Sequence, residues 1–99
     1  MGTSFEYAVR KKTRFKEPSN FKVILLNDDY TSMDFVVEVI VGVFHKGAEE
    51  AEALMLDVHN KGRAVVGVYT KDIAETKIVE VGRLAAENDF PLKCIMEKA

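Results

Sequence analysis

The chain has 99 residues, of which 47% are apolar and 30% charged, and its formal net charge at pH 7 is −2; these values are typical of one globular domain. No apolar run is long enough to span a bilayer or to form the core of a signal peptide, so neither a membrane segment nor a secretory leader is predicted. The single cysteine, Cys94, excludes an internal disulfide and fits a reducing compartment.

Charge is distributed unevenly along the chain. Residues 1–20 hold five basic and two acidic residues, a net charge of +3, whereas residues 21–99 hold nine basic and fourteen acidic residues, a net charge of −5. We predict that residues 1–20 form a flexible N-terminal extension and that residues 21–99 form the folded domain. The acidic domain is a poor binder of polyanions, and five basic residues with few aromatics favour a solvated tail over a nucleic-acid-binding arm.

The periodicity of the folded part predicts strands and helices in the order βααβαβ. The predicted strands are residues 21–26, 63–69 and 92–97. The predicted helices run from a cap at Thr31 or Ser32 to Gly47, over about residues 48–60 with an end at Gly62, and from a cap at Thr70 to about residue 87. The expected fold class is therefore α+β, a small sandwich in which a three-stranded antiparallel sheet packs on three helices.

Apolar residues at helical spacing mark the predicted buried face of each helix. The first helix is expected to bury Met33, Val36, Val37, Ile40, Val41 and Phe44. The second is expected to bury Ala48, Ala51, Leu54 or Met55, and Val58, and the third Ala74, Ile78, Val81 and Ala85. Asp34 follows Thr31 by three residues, which predicts a capping-box-like start for the first helix.

Three polar residues, Asn27, Asp28 and Asp29, directly follow the first strand. One interpretation is a plain turn in which these side chains bond the local backbone, and composition alone favours it. The other interpretation is a cluster of hydrogen-bond acceptors without a matching base, which favours the binding of a cationic group.

A second set of candidate residues lies on the second predicted helix. Met55, Val58 and His59 share one helical stripe, which places His59 at the margin of an apolar surface. A neutral imidazole there can accept a hydrogen bond, although a histidine at a core boundary is the simpler interpretation. Met33 and Val36, just after the polar turn, could add adaptable apolar surface for a ligand.

Sequence patterns for catalysis are absent. His45 and His59 lie fourteen residues apart, outside any metal-ligand spacing, and there is no glycine-rich phosphate-binding loop. Cys94 lies in the middle of a predicted strand with no group nearby in sequence to activate its thiol. We therefore expect a binding protein with no catalytic residues, no metal and no cofactor.

Four segments resemble, in order, the pattern of the ClpS adaptors of bacterial ATP-dependent proteolysis. Residues 27–36 resemble the family's LNDDYTPMEFV signature, and residues 55–59 resemble its MLxVH. Residues 67–77 resemble GVYTxxxAETK, and residues 91–98 resemble the ending PLxCxMEK. The resemblance covers about residues 21–99 and is highly specific.

The resemblance implies an adaptor rather than an enzyme. ClpS-like proteins hold the N-terminal Leu, Phe, Tyr or Trp of an N-degron substrate and deliver it to a ClpA- or ClpC-type AAA+ unfoldase, which feeds the ClpP peptidase. The implied partners are therefore N-degron peptides and the unfoldase N-domain, in the bacterial cytoplasm, with no nucleic acid and no membrane. A monomer is expected, and residues 1–20 would reach toward the unfoldase pore during delivery.

The resemblance also implies three groups of site residues by position. The α-ammonium of the substrate would be met by Asn27, Asp29 and His59, with Asp28 and Thr31 near the peptide backbone. The substrate side chain would enter a pocket made by Met33, Val36, Met55, Val58 and Leu92. An exposed stretch at the start of the third helix would offer Asp72 and Lys77 to the unfoldase.

Two other functions stay open from the sequence. One is a structural interaction module like the C-terminal domain of a ribosomal stalk protein, which would have no ammonium pocket and no selectivity for N-terminal residues. The other is nucleic-acid binding through residues 10–16, which would depend strongly on salt. The polar turn paired with the stripe at residues 55–59 argues for the adaptor.

Overall fold

The computed structural model of the protein describes residues 19–99 and contains the six predicted elements in the predicted order. These are β1 (Asn20–Leu26), α1 (Met33–Phe44), α2 (Ala48–Lys61), β2 (Arg63–Thr70), α3 (Lys71–Glu87) and β3 (Lys93–Lys98). The predicted α+β class with a three-stranded antiparallel sheet is confirmed. The predicted N-terminal extension lies outside the described residues except for its last two positions, so it stays a prediction.

The sheet has the order β2-β1-β3, with β1 paired antiparallel to both neighbours. A strand in the centre of a covered sheet is buried on both faces and therefore needs a continuous apolar run. The run in β1 meets this need, because Val23, Ile24 and Leu25 are 0%, 1% and 0% exposed. Its register against β2 shifts between Val23 and Ile24, where a bulge is inserted.

The two faces of β1 are covered in different ways. Val23 and Leu25 belong to the main core with the helices, and alternation along the strand turns Ile24 to the opposite face. On that outer face Arg63, opposite Leu26, donates to Glu97, opposite Lys22, at 2.8 Å. This ion pair joins β2 to β3 and so crosses β1 on the face to which Ile24 points.

Helix α1 supplies the widest buried face, and the predicted stripe was only partly correct. The buried residues of α1 are Phe35, Val36, Val39, Ile40, Val43 and Phe44. Met33 and Val41 were predicted inside but are 44% and 40% exposed. At 100° per residue Val41 lies about 140° around the helix from Val36, which turns it away from the core. The predicted inward residues of α3 are correct for Ala74, Val81 and Ala85.

The helix ends confirm some caps and correct others. Ser32 caps α1 by accepting from the Phe35 amide at 3.1 Å, and Gly62 ends α2 with a φ of 90°, as predicted. The Thr31–Asp34 capping box is wrong, because the Thr31 hydroxyl is directed to Asp28 instead. Gly47 also does not end α1. The helix ends at Phe44 with His45 in the left-handed conformation, and Gly47 caps α2.

None of the helices within residues 19–99 combines the length and apolar character that crossing a bilayer requires. All three helices lie against the sheet face that carries Val23 and Leu25, and the connection between β1 and α1 reaches the end of α2. That junction is where the polar turn predicted from the sequence is found.

Candidate functional site

The polar turn between β1 and α1 is held in place by Asp28. Its Oδ1 accepts from the amides of Tyr30 and Thr31 at 2.8 and 2.7 Å, and its Oδ2 accepts from the Thr31 hydroxyl at 2.7 Å. Burial raises the pKa of Asp28, but the hydrogen bonds from the Thr31 hydroxyl and from the Thr31 and Tyr30 amides outweigh it and leave the pKa below its ordinary value. The plain-turn interpretation is therefore correct for this one carboxylate.

The neighbouring polar side chains are not used in this way. The side chains of Asn27, Asp29 and His59 are exposed, and none of them makes a hydrogen bond or an ion pair within residues 19–99. Two of them carry acceptor oxygens, and a neutral imidazole adds an acceptor nitrogen. The same turn thus contains one carboxylate, that of Asp28, whose hydrogen bonds shape the loop, and two neighbouring side chains whose acceptors are available to a ligand.

A backbone hydrogen bond brings the two parts of the site together. The Asn27 amide donates to the Gly62 carbonyl at 2.9 Å, which ties the end of β1 to the end of α2. His59 lies in the last turn of α2, so this bond places the imidazole beside the polar turn. The glycine at the end of α2 allows the approach, because its left-handed φ turns the chain back toward β1.

The turn and the two helices enclose a hollow of about 210 Å³. Its lining consists of Asn27, Asp28, Asp29, Thr31, Met33, Val36, Met55, Val58 and His59. The apolar floor is formed by Val36 and Val58, which are 6% and 2% exposed, while the more exposed Met33 lies at the mouth. The hollow is smaller than the cavities that hold drug-sized ligands, and its size suits a single side chain.

The structure brings together nine of the ten residues predicted for substrate binding, and Leu92 is the exception. Leu92 is buried within the main core, 5% exposed, and does not line the hollow. It precedes β3, where its apolar side chain fills the space between sheet and helices. Val36 and Val58 are buried in the same core and still form the floor of the hollow, so the place of Leu92 in the pocket stays a prediction.

The predicted exposed stretch at the start of α3 is correct for Asp72 and wrong for Lys77. Asp72 is exposed. The Lys77 ammonium donates to the Val43 carbonyl at 2.7 Å and lies 5.9 Å from the centroid of the Tyr69 ring. Val43 is in the last turn of α1, where a cation satisfies an unpaired carbonyl and the negative end of the helix dipole. Lys77 therefore joins two helices, and much of its side chain is covered.

Two features bear on metal binding and thiol chemistry within the described part of the chain. Within residues 19–99 no group of three or more His, Cys, Asp or Glu side chains is placed to hold a metal ion. Burial raises the pKa of the Cys94 thiol to about 12, which keeps it in the unreactive protonated form. The site can instead accept hydrogen bonds from a cationic donor whose attached apolar group fills the hollow.

Comparison with known proteins finds relatives along almost the whole chain. The model of the family described as ATP-dependent Clp protease adaptor protein ClpS matches residues 16–95. The ATP-dependent Clp protease adapter protein ClpS of Acetivibrio thermocellus is 60% identical over 91 residues, which cover 90% of this chain and 92% of that protein. The protein of the same name from Wolinella succinogenes is 50% identical over 97 residues, covering 98% and 95%.

A solved structure agrees with the fold. The structure of Agrobacterium tumefaciens ClpS2 bound to L-phenylalaninamide superposes with a TM-score of 0.81 at 42% sequence identity. The match covers 84% of this chain and 100% of that one. The amino-acid sequence and the fold are thus both similar to those of a solved relative.

Proposed function

The chain belongs to the ClpS family of ATP-dependent Clp protease adaptor proteins, and we propose that its hollow holds the N-terminal residue of a substrate protein. The residue would be Leu, Phe, Tyr or Trp with a free α-amine. The chain would then deliver this N-degron substrate to a ClpA- or ClpC-type AAA+ unfoldase, for proteolysis by ClpP. In this function the chain binds and presents a substrate and carries out no reaction.

The observation that carries the proposal is a set of three polar side chains at the rim of an apolar hollow that have no side-chain partner within residues 19–99. An α-ammonium has three N–H donors, and Asn27, Asp29 and His59 together can accept all three. An acetylated or internal amide lacks the charge and two of the donors, so it would leave acceptors unpaired. The rim therefore suits a free chain terminus.

Rough free energies agree with useful binding. Hydrogen bonds to a charged group contribute about 1.5–3 kcal/mol each, and burial of a large apolar side chain contributes about 1.5–3 kcal/mol. Loss of translational and rotational freedom costs at least about 4 kcal/mol. Micromolar affinity, about −8 kcal/mol, is a reasonable expectation for such a site.

The remaining lining residues take supporting roles in this proposal. Asp28 and Thr31 hold the turn and lie near the peptide backbone, while Met33, Val36, Met55 and Val58 surround the substrate side chain. The ligand bound to the Agrobacterium relative supports this division, because L-phenylalaninamide has a free α-amine and an aromatic side chain, as an N-terminal Phe has. Leu92, which packs in the same core as Val36 and Val58, stays a predicted member of the pocket.

The decisive experiment compares a Leu- or Phe-initiated peptide with its acetylated twin. We expect the free peptide to bind in the micromolar range and acetylation to cost at least about 1.5–3 kcal/mol, a tenfold or greater loss. Calorimetric or fluorescence titration measures both affinities under the same conditions. Equal affinity for the two peptides would reject the ammonium site, and binding to neither would reject the hollow as a substrate pocket.

For delivery we propose that Asp72, at the exposed start of α3, contacts the N-domain of the unfoldase. Lys77 is not included as a direct contact, since its ammonium is bonded to the Val43 carbonyl. Asp72→Lys should weaken binding of the isolated N-domain and leave peptide affinity unchanged, with Asp57→Lys on α2 as the control. Unchanged N-domain binding by Asp72→Lys would show that Asp72 is not part of the contact surface.

The proposal includes a monomer acting in the bacterial cytoplasm, with residues 1–20 serving delivery rather than recognition. These residues carry a net charge of +3, and as the predicted flexible extension they would reach toward a pore at little cost. Removal of residues 1–18 should therefore leave peptide affinity unchanged and slow degradation by the complete unfoldase–peptidase assembly. Loss of peptide affinity in the shortened chain would assign these residues to recognition instead.

A further inference from the structure

A second surface groove borders the polar turn on the side away from the hollow. It has a volume of about 380 Å³. Its lining consists of Leu26, Asn27, Asp28, Asp29, Tyr30, Pro91 and Lys93. Only residues 27–29 line both the groove and the hollow. The rest of the hollow's lining comes mainly from α1 and α2, whereas the rest of this Tyr30 groove's lining includes Pro91 and Lys93 at the start of β3.

Tyr30, Leu26 and Pro91 give the Tyr30 groove its apolar surface. Tyr30 is 79% exposed, the highest value among the exposed large hydrophobic residues within residues 19–99. Its backbone is fixed, because its amide donates to Asp28 at 2.8 Å. A tyrosine ring offers a large contact area with few rotatable bonds. Leu26 and Pro91 add further apolar surface, so the groove is already formed before any ligand arrives.

We infer, on the basis of the proposed function, that the Tyr30 groove holds the side chain of the third residue of the bound peptide. Alternate side chains of an extended chain point the same way and lie about 6.8 Å apart, somewhat more than the 4.8 Å spacing of neighbouring chains. The first and third side chains are therefore far enough apart to lie on either side of the turn. A peptide that crosses the turn with its first side chain in the hollow places its third side chain beyond the turn, in the Tyr30 groove. The second side chain points to solvent.

The chemistry of the groove defines the residue that it accepts. Tyr30, Leu26 and Pro91 favour an aromatic or large aliphatic side chain. The charged residues of the lining are Asp28, Asp29 and Lys93, which carry both signs, so the selectivity rests on the apolar contact. Peptides with Phe, Tyr or Leu third should bind best, and those with Ala less well.

The test uses free-amine peptides that begin with Leu and differ at one position. Leu-Ala-Phe peptides should bind about three- to tenfold more tightly than Leu-Ala-Ala peptides, the gain expected for one aromatic contact. Leu-Phe-Ala peptides are the positional control and should match Leu-Ala-Ala. Tyr30→Ala should abolish the gain for Phe, whereas Tyr30→Phe should keep it. Val79→Ala, which removes a 68% exposed side chain on α3, should keep it as well.

The outcomes separate this inference from the proposed function. If the free amine is required but the third residue has no effect, the hollow stands and the Tyr30 groove is overturned. The groove is also overturned if Tyr30→Ala retains the full preference for Phe or if the second position gives the gain. If acetylated peptides bind as tightly as free ones, the ammonium site fails, and the groove fails with it because its register depends on that site.

Discussion

The rim of the hollow and the outer face of the sheet both place polar side chains over buried apolar residues, but they differ in how those side chains are paired. On the outer face Arg63 and Glu97 bond to each other, on the face where Ile24 is 1% exposed. At the rim Asn27 and Asp29 have no side-chain partner within residues 19–99. Arg63 and Glu97 therefore satisfy each other's hydrogen bonds without a ligand, whereas Asn27 and Asp29 have acceptor oxygens that a ligand can still use.

This difference separates groups that stabilise the fold from groups that are free to bind. Asp28 belongs with the first kind despite its place between two residues of the second, because three hydrogen bonds within the loop already use its carboxylate. Substitutions at paired groups should therefore change the free energy of unfolding. Substitutions at unpaired groups should change peptide affinity while leaving stability almost unaltered.

The largest effect is expected for Leu92, which the sequence placed in the pocket and the structure places in the core. Leu92→Ala should lower the free energy of unfolding by about 2–5 kcal/mol, because it opens a cavity among packed side chains. Weaker peptide binding by the folded variant would support the predicted place of Leu92 in the pocket, whereas unchanged affinity would confine Leu92 to the core. Denaturant unfolding and peptide titration measure the two quantities. Leu56→Ala, at a 47% exposed position on α2, is the matched control and should cost little.

The next effect concerns the unpaired rim. Asn27→Ala, Asp29→Ala and His59→Ala should each weaken peptide binding by about 1–3 kcal/mol, since each leaves a donor of the α-ammonium unpaired. Their melting temperatures should match that of the unmodified protein. Asp34→Ala removes a nearby exposed carboxylate that does not line the hollow, and its peptide affinity should be unchanged. Undiminished binding in all three rim variants would contradict the assignment.

The contribution of Asp28 to stability should depend on pH. Hydrogen bonds leave its folded-state pKa below the ordinary value of 3.8, so its contribution to stability is present above that value and is lost as pH falls through the folded pKa. Asp28→Asn should lower stability at neutral pH by about 1 kcal/mol. The difference between the two proteins should shrink below about pH 4, where protonation removes the same charge from the native side chain. A constant difference down to pH 2 would contradict this role.

Met33 tests the mouth of the hollow. Because Met33 is exposed at the entrance, it should exclude β-branched Ile and Val, which carry bulk next to the backbone, and admit Leu and Phe. Met33→Ala should therefore bring the affinities for Leu- and Ile-initiated peptides closer together. Val41→Ala, elsewhere on α1 and outside the hollow, should leave their ratio unchanged. An unchanged ratio in Met33→Ala would rule out a gating role.

The order of the elements and most members of the hollow could be predicted because both depend on local information. Helical spacing identified Val36 and Val58, and turn chemistry identified Asn27 and Asp29 as neighbours of a strand end. Their convergence depends on the hydrogen bond between Asn27 and Gly62, which joins distant segments. The sequence gives no direct signal for such a bond, so the resemblance rather than the periodicity brought these residues together in advance.

The errors have the same origin. The depth of each side chain follows from packing between elements, which spacing along one element does not reveal. The strand order β2-β1-β3, for which the sequence supports no prediction, has the same origin. The resemblance placed Lys77 on an exposed stretch of α3, yet its ammonium donates to the Val43 carbonyl at the end of α1. Thr31 was predicted as a possible cap of α1, but its hydroxyl donates to the Asp28 carboxylate instead.

The smallest effect is expected on the outer face of the sheet. Arg63 and Glu97 have side chains 48% and 45% exposed, so solvent and salt screen their attraction, and Arg63→Gln should shift the melting temperature only slightly.

The hydrogen bond from Arg63 lowers the pKa of Glu97, so the stabilisation is present above its ordinary value of 4.5 and is lost as pH falls through the folded pKa. The shift should therefore vanish in acid and in high salt, and peptide affinity should not change at any pH. A loss of peptide affinity in Arg63→Gln would break the separation between paired and unpaired polar groups, because no atom of this ion pair lines the hollow.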